Sequence, residues 1–165
     1  MSQATKSQID PLNRNNYTAI TAMLTVGDVG RAYAFYQKAF GFQGKALMPG
    51  PDGKPMHAEL KFRESTLMLG PESPAWQAAS AKTLGNTPAT LYLLVEDVDK
   101  VTTQATNAGA TLVHPPADMF WGDRTATLVD PDGNKWMVAT HKSEPTPAEM
   151  DAAMKKQFAE MAPKK

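Results

Sequence analysis

The sequence predicts an α+β fold: two β-α-β-β-β modules in tandem, followed by a C-terminal helix. Three observations predict it. A strand–cap–helix phrase, MLTVGDVGRAYAFYQKAFGF, returns in outline as LYLLVEDVDKVTTQATNAGA. The two are related by a fixed offset of 69, which matches Thr21 with Thr90, Val26 with Val95, Asp28 with Asp97, Val29 with Val98 and Met68 with Met137. After each phrase come short apolar runs separated by turn-forming Gly, Pro and Asp residues.

The elements follow in order. Residues 1–16 are polar and read as an arm. Ala19–Val26 mixes β-branched and apolar residues, as a strand does. Asp28 caps a helix over Val29–Phe40, with Val29, Ala32, Tyr33, Tyr36 and Phe40 as its apolar stripe and Gly41 as its stop. Phe42–Met48, Met56–Phe62 and Ser65–Leu69 are strands, which completes a first module over 17–69. Residues 70–87 are rich in Pro, Ser, Gly and Ala and read as a linker, with a helical turn at Ala75–Ala81. The second module, 88–141, repeats the order: a strand at Ala89–Val95, a helix at Val98–Ala108 capped by Asp97 and stopped by Gly109, then strands at Ala110–His114, Arg124–Val129 and Lys135–Thr140. Pro115-Pro116 reads as a break and Asp130-Pro131-Asp132-Gly133 as a tight turn.

Residues 142–165 hold the last helix. Thr146-Pro147-Ala148-Glu149 is a capping box with proline at the first helical position. Met150, Met154, Phe158 and Met161 then line one face, a stripe expected to dock on the protein itself.

Composition narrows the function. The 165 residues carry 17 basic and 17 acidic side chains, and no basic stripe of the kind a phosphate backbone requires, so no nucleic-acid partner is expected. There is no cysteine, which removes disulfides, thiolate metal ligands and thiol nucleophiles and fits a cytoplasmic protein. No run of eighteen apolar residues occurs and the N-terminus has no apolar core, so neither a membrane span nor a secretory signal is expected. GxSxG, P-loop, GxGxxG and HExxH patterns are absent.

The two strand–cap–helix phrases, the closing DPDGNKW and the internal repeat together resemble the vicinal oxygen chelate superfamily, over residues 18–141. That superfamily includes glyoxalase I, extradiol dioxygenases, fosfomycin-resistance thiol transferases and bleomycin-resistance proteins. FWGDR, then DPDGNKW and ATH, then a short capped helix, is similar to its glyoxalase-like branch related to the phosphonate-operon protein. The resemblance implies that the two modules set their sheets around a cavity as a half-open barrel. It also implies a homodimer. Metal-using members draw ligands from four strand positions, which fall here on Thr21, Met68, Thr90 and Met137. None offers imidazole or carboxylate, the donors divalent ions need, so neither a metal nor another cofactor is expected.

Strand alternation names what would line such a cavity: Thr21 with Met23 and Thr25, Thr90 with Tyr92 and Leu94, Met68 with Thr66, and Met137 with Lys135 and Ala139. Trp136 and Val138 would face the helices. Methionine suits irregular apolar ligands and equally well fills a core, and both readings stand for Met68 and Met137. His57 and Glu59, two apart on a strand, share a face. Either that face meets water and Ala58, Leu60 and Phe62 form the core side, or it meets the cavity and these three pack under the helices. In the second case the pair could transfer a proton. Phe120, Trp121 and Arg124 read as a cavity lid with a cation for an anionic ligand, or as a covered core edge with a structural Asp123–Arg124 pair. His114 and His141 read as strand-end residues.

Three functions compete. The first is a protein that binds a small, largely apolar or aromatic molecule in a metal-free cavity. The second is a metal-independent lyase or isomerase working through His57 and Glu59. The third is a structural or regulatory dimer whose cavity is filled by its own side chains.

Overall fold

The structure, a computed structural model, describes residues 17–161; the polar arm 1–16 lies outside the described residues. The chain divides into two compact units. The first ends at Ala79, the second starts at Ser80, and Lys38–Phe40 cluster with the second.

The first unit contains β1 (Ala22–Val26), α1 (Val29–Phe40), β2 (Gln43–Pro49), β3 (Pro55–Phe62) and β4 (Ser65–Pro71). Its sheet runs β1-β4-β3-β2, parallel between β1 and β4 and antiparallel elsewhere. Asp28 starts α1 as its side chain predicts: the backbone is extended, and the carboxylate accepts the Arg31 N–H at 2.8 Å. Gly41 stops the helix in the left-handed region, at φ 75°. The helix buries Val29, Ala32, Phe35, Tyr36 and Ala39, while Tyr33 is only half-buried. Tyr33 leans over Gly44, where a Cβ would stand 2.0 Å from its hydroxyl, so any side chain there would push the Tyr33 ring aside. Tyr36 meets Phe42 at 6.1 Å between ring centroids, and Phe42 meets Phe62 at 5.3 Å.

Ala58, Leu60, Leu67 and Leu69 are buried along with Val26. Each leucine of this set contributes roughly 1.5–3 kcal/mol by leaving water. Ala58 and Leu60 therefore form the buried side of β3, as both arrangements considered from sequence require, while Glu59 on the other side is itself only 5% exposed. His57, Glu59 and Lys61 point to the other side of the sheet.

The second unit contains α2 (Ala81–Leu84), β5 (Thr90–Leu94), α3 (Val98–Ala108), β6 (Thr111–Asp118), β7 (Asp123–Val129), β8 (Lys135–His141) and α4 (Pro147–Met161). Its sheet repeats the first, in the order β5-β8-β7-β6 with β5 and β8 parallel. Asp97 caps α3 through the Lys100 N–H at 2.9 Å, and Gly109 ends it at φ 112°. Val98, Thr102 and Ala105 are its buried positions.

Three stretches differ from expectation. The linker is partly ordered: a 3-10 turn spans Pro74–Trp76, and α2 begins only at Ala81 because the Ser80 hydroxyl accepts the Thr83 N–H at 3.2 Å. β1 starts at Ala22, so Thr21 lies just before it, with its hydroxyl donating to the Thr18 carbonyl at 3.2 Å. β6 does not stop at His114 but continues through Pro115 and Pro116 to Asp118. Proline is tolerated because β6 is an edge strand, and its register with β7 shifts between His114 and Ala117, where no ladder donor is needed.

The capping box forms as expected. Glu149 accepts the Thr146 N–H at 2.7 Å, and Thr146 accepts the Glu149 N–H at 3.3 Å. Met150 is half-buried and Met154 exposed; the Phe158 and Met161 side chains lie outside the described residues. No helix among the described residues is long and apolar enough to cross a membrane.

Candidate functional site

In the first unit, register places Met23 beside Met68 and Met68 beside Glu59 across β1, β4 and β3. These residues, with His57, share the face turned away from Leu60 and Leu69. Met23 is 61% exposed and Met68 half-buried. Glu59 is 5% exposed and heavily partnered. Lys45 Nζ donates to its Oε2 at 2.6 Å, and the Tyr17 hydroxyl donates to Oε1. His57 Nε2 stands 3.6 Å from Oε1, an ion-pair distance rather than a hydrogen bond. Lys45 also lies over the Tyr17 ring, 4.6 Å from its centroid. The hydrogen bonds from Lys45 and then Tyr17 outweigh burial and hold the Glu59 carboxyl down at about 2. A carboxylate so stabilised is ionised at neutral pH and a weak base.

Sequence reasoning found His57 and Glu59 but not Tyr17 or Lys45. Lys45 escapes strand alternation because β2 has a register shift between Gly44 and Ala46 that lets it reach Glu59. Tyr17 precedes the first strand and carries no periodic signal.

In the second unit, Tyr92 lies beside Met137, and Met137 beside Thr127. Leu94 and Ala139 follow on the same face, and Thr90, before Tyr92, lies beside Lys135. Tyr92 is 47% exposed and Leu94 is exposed with it. Trp136 and Val138 are buried, on the face toward α3. The β6–β7 hairpin carries Phe120 and Trp121 at its tip, packed edge to face with centroids 4.9 Å apart. Trp121 lies near Tyr92 and Asp123.

Asp123 accepts the Tyr92 hydroxyl at 2.5 Å and stands 2.7 Å from His141 Nδ1. Burial pushes the Asp123 carboxyl up, but hydrogen bonds from Tyr92 and His141 prevail and hold it below its ordinary value. Burial first, and then the bond to Asp123, push the Tyr92 phenol up.

Arg124 does not join this group. One residue along β7, it points to the opposite face, where it forms a two-pronged bond to Asp99 of α3, with distances of 2.8 and 2.9 Å, and reaches Asp118 at 3.2 Å. The Asp123–Arg124 pair considered from sequence is thus two separate clusters. His114 lies on the edge strand β6.

The four positions that the resemblance assigns to metal ligands carry hydroxyls at Thr21 and Thr90 and thioethers at Met68 and Met137. That donor set does not fit a divalent ion. Among the described residues, no three His, Asp or Glu side chains converge in a metal-holding group.

The comparisons with known proteins agree with this architecture. A family model described as Glyoxalase/Bleomycin resistance protein/Dioxygenase superfamily matches residues 17–138. An uncharacterized protein of Mycobacterium tuberculosis is 38% identical over 158 residues, covering 94% of this chain and 93% of its own length. Among solved structures, TioX from Micromonospora sp. ML1 is 28% identical with a TM-score of 0.61, covering 74% of this chain and 97% of its own. A glyoxalase I mutant from Zea mays is 27% identical with a TM-score of 0.60, covering 72% of this chain and 45% of its own. On the matched residues and the twice-repeated β-α-β-β-β module, the chain belongs to the glyoxalase/bleomycin resistance protein/dioxygenase superfamily.

Proposed function

We propose that this protein binds a small, largely apolar or aromatic molecule against the methionine-bearing sheet faces of its modules, without a metal ion. The observation that carries the reading is the pairing of exposed apolar side chains with the positions where relatives hold metal. Met23 stands beside Met68, and Tyr92 and Leu94 stand beside Met137 and Ala139. Thioethers and aromatic rings suit apolar surfaces, and methionine adapts to irregular shapes. The Tyr92–Asp123 hydrogen bond adds polar groups of fixed direction beside that lining. The exposure of Met23 and Tyr92 supports a binding face over one filled by its own side chains.

The same reading takes the protein as a cytoplasmic homodimer of the glyoxalase-like branch related to the phosphonate-operon protein. The FWGDR hairpin tip and the absence of cysteine support it.

A second reading, a metal-independent lyase or isomerase, rests on His57 standing 3.6 Å from Glu59. With Glu59 held at about 2, the imidazole alone would carry the proton, and His57→Ala would abolish turnover.

Native purification followed by elemental analysis and small-molecule mass spectrometry tests the proposal. The expected result is a co-purified organic molecule, lost in Met137→Lys, with metal far below one per chain. A stoichiometric divalent metal overturns the metal-free site. Failure to retain or bind any apolar or aromatic compound overturns the binding role.

A further inference from the structure

We infer that His141 is a protonation-operated latch that holds the segment leading into α4 onto the second unit. The imidazole ends β8 and lies between two carboxylates. Nδ1 is 2.7 Å from Asp123 Oδ1, on β7, and Nε2 is 2.9 Å from Glu144 Oε1, three residues along the chain. Both partners bond through carboxylate oxygens, which accept, so both ring nitrogens must carry hydrogen for both bonds to exist, and only the imidazolium does.

The two partners are unequal. The Asp123 side chain is 12% exposed and is also held by the Tyr92 hydroxyl, whereas that of Glu144 is 90% exposed. A neutral ring has one N–H, and it stays with the anchored Asp123. The bare Nε2 lone pair then faces the Glu144 carboxylate, which turns to water at little cost. Loss of one proton therefore releases Glu144 and not Asp123.

The backbone around the latch is closely fitted. Lys142 and Ser143 both donate N–H groups to the Gly122 carbonyl, at 2.9 and 3.0 Å. A Cβ on Gly122 would stand 2.0 Å from the Ser143 carbonyl oxygen and 2.7 Å from the Pro145 ring. Among the described residues, Glu144 makes the last side-chain bond of this segment before the Thr146 cap of α4, with Pro145 packed beside Gly122 between them. The charged and titratable groups facing His141 are Asp123 from β7 and Glu144 from the segment after β8, with Tyr92 of β5 acting through Asp123. Lys142 acts on Asp99, at the start of α3.

The hydrogen bonds to Asp123 and then Glu144 push the His141 imidazole up from its ordinary value. A raised folded-state value means that the contact is fully present below the ordinary imidazole value of about 6.5 and is lost as pH rises through the raised one.

The test is a pH titration of the full chain by NMR, following the His141 ring and the backbone amides of residues 142–149. His141 is expected to titrate above a free imidazole, and the Glu144 and Thr146 amides to shift with the same midpoint. Glu144→Gln should lower that midpoint and flatten the Thr146 titration, while the β7 and β8 amides keep their positions as a control for folding. His141→Gln should abolish the transition at Thr146. The latch is overturned if His141 titrates without moving residues 144–146, or if Glu144→Gln leaves its midpoint unchanged.

Discussion

The indole N–H of Trp136 donates to Asp130 Oδ2 at 3.0 Å, binding the last strand to the turn that launches it. Asp130 is 4% exposed, and its carboxylate also accepts the backbone N–H groups of Asp132 and Asn134, both at 2.9 Å, and the Asn134 side-chain amide. Asp130→Ala would remove the carboxylate that these donors share. The expected loss is about 2 kcal/mol or more, read from urea unfolding monitored by Trp fluorescence. Asp130→Asn keeps one acceptor oxygen and should lose less.

Two glycines with left-handed backbones should respond differently to alanine. Gly133 has φ 87°, and a Cβ there would stand 2.5 Å from the Lys82 backbone nitrogen. Gly53 has φ 78° with nothing within 4 Å. Gly53→Ala should cost only the left-handed strain, about 1 kcal/mol. Gly133→Ala adds a backbone collision that displaces α2, and its melting temperature should fall further. Equal losses in thermal unfolding would contradict this difference.

The Glu59 carboxyl is held at about 2 in the folded chain, against an ordinary value of 4.5. A depressed acid stabilises the fold above its ordinary value, and that contribution fades as pH falls through the folded value. Lys45→Met removes its strongest hydrogen bond. The acid-unfolding midpoint of the variant, followed by circular dichroism, should move to higher pH than in the parent chain, with little change near neutrality in the slope of stability against pH.

The Thr146 cap acts locally. Thr146→Ala removes the hydroxyl that accepts the Glu149 N–H, keeps the Thr146 backbone N–H that donates to Glu149, and should destabilise α4 by about 1 kcal/mol. Because Met154 and much of the helix surface are exposed, the two sheets should keep their stability. NMR helical shifts over residues 147–155 would fall while the denaturant midpoint of the sheets stays put.

Local signals were legible in the sequence because the chemistry acting on them is local. Asp28 and Asp97 start helices three residues from the N–H groups they accept, and Gly41 and Gly109 end them. Alternation groups Met23 with Thr21 and Tyr92 with Thr90, but that Met23 stands beside Met68 and Tyr92 beside Met137 depends on parallel pairing of strands far apart in sequence. What escaped depends on distant or irregular partners. Tyr17 reaches Glu59 across 42 positions, Lys45 depends on a bulge, and Arg124 finds Asp99 on a helix 25 residues upstream. The proline pair in β6 misled the reading because its edge position, which makes proline harmless, is a property of the sheet rather than of the residues.

The strand order of each unit also bears on how the chain assembles during synthesis. Among the described residues β1 has β4 as its sole neighbour within its sheet, and β5 has β8, so the first strand of each module must wait for its last. Met23 reaches the ribosome exit 45 residues before its partner Met68, and Tyr92 the same interval before Met137. The β2–β3–β4 meander can form in between through short hairpins, leaving the parallel seam as the closing event of each module. Mutations at that seam should slow folding more than mutations in the hairpins, once in each half of the chain.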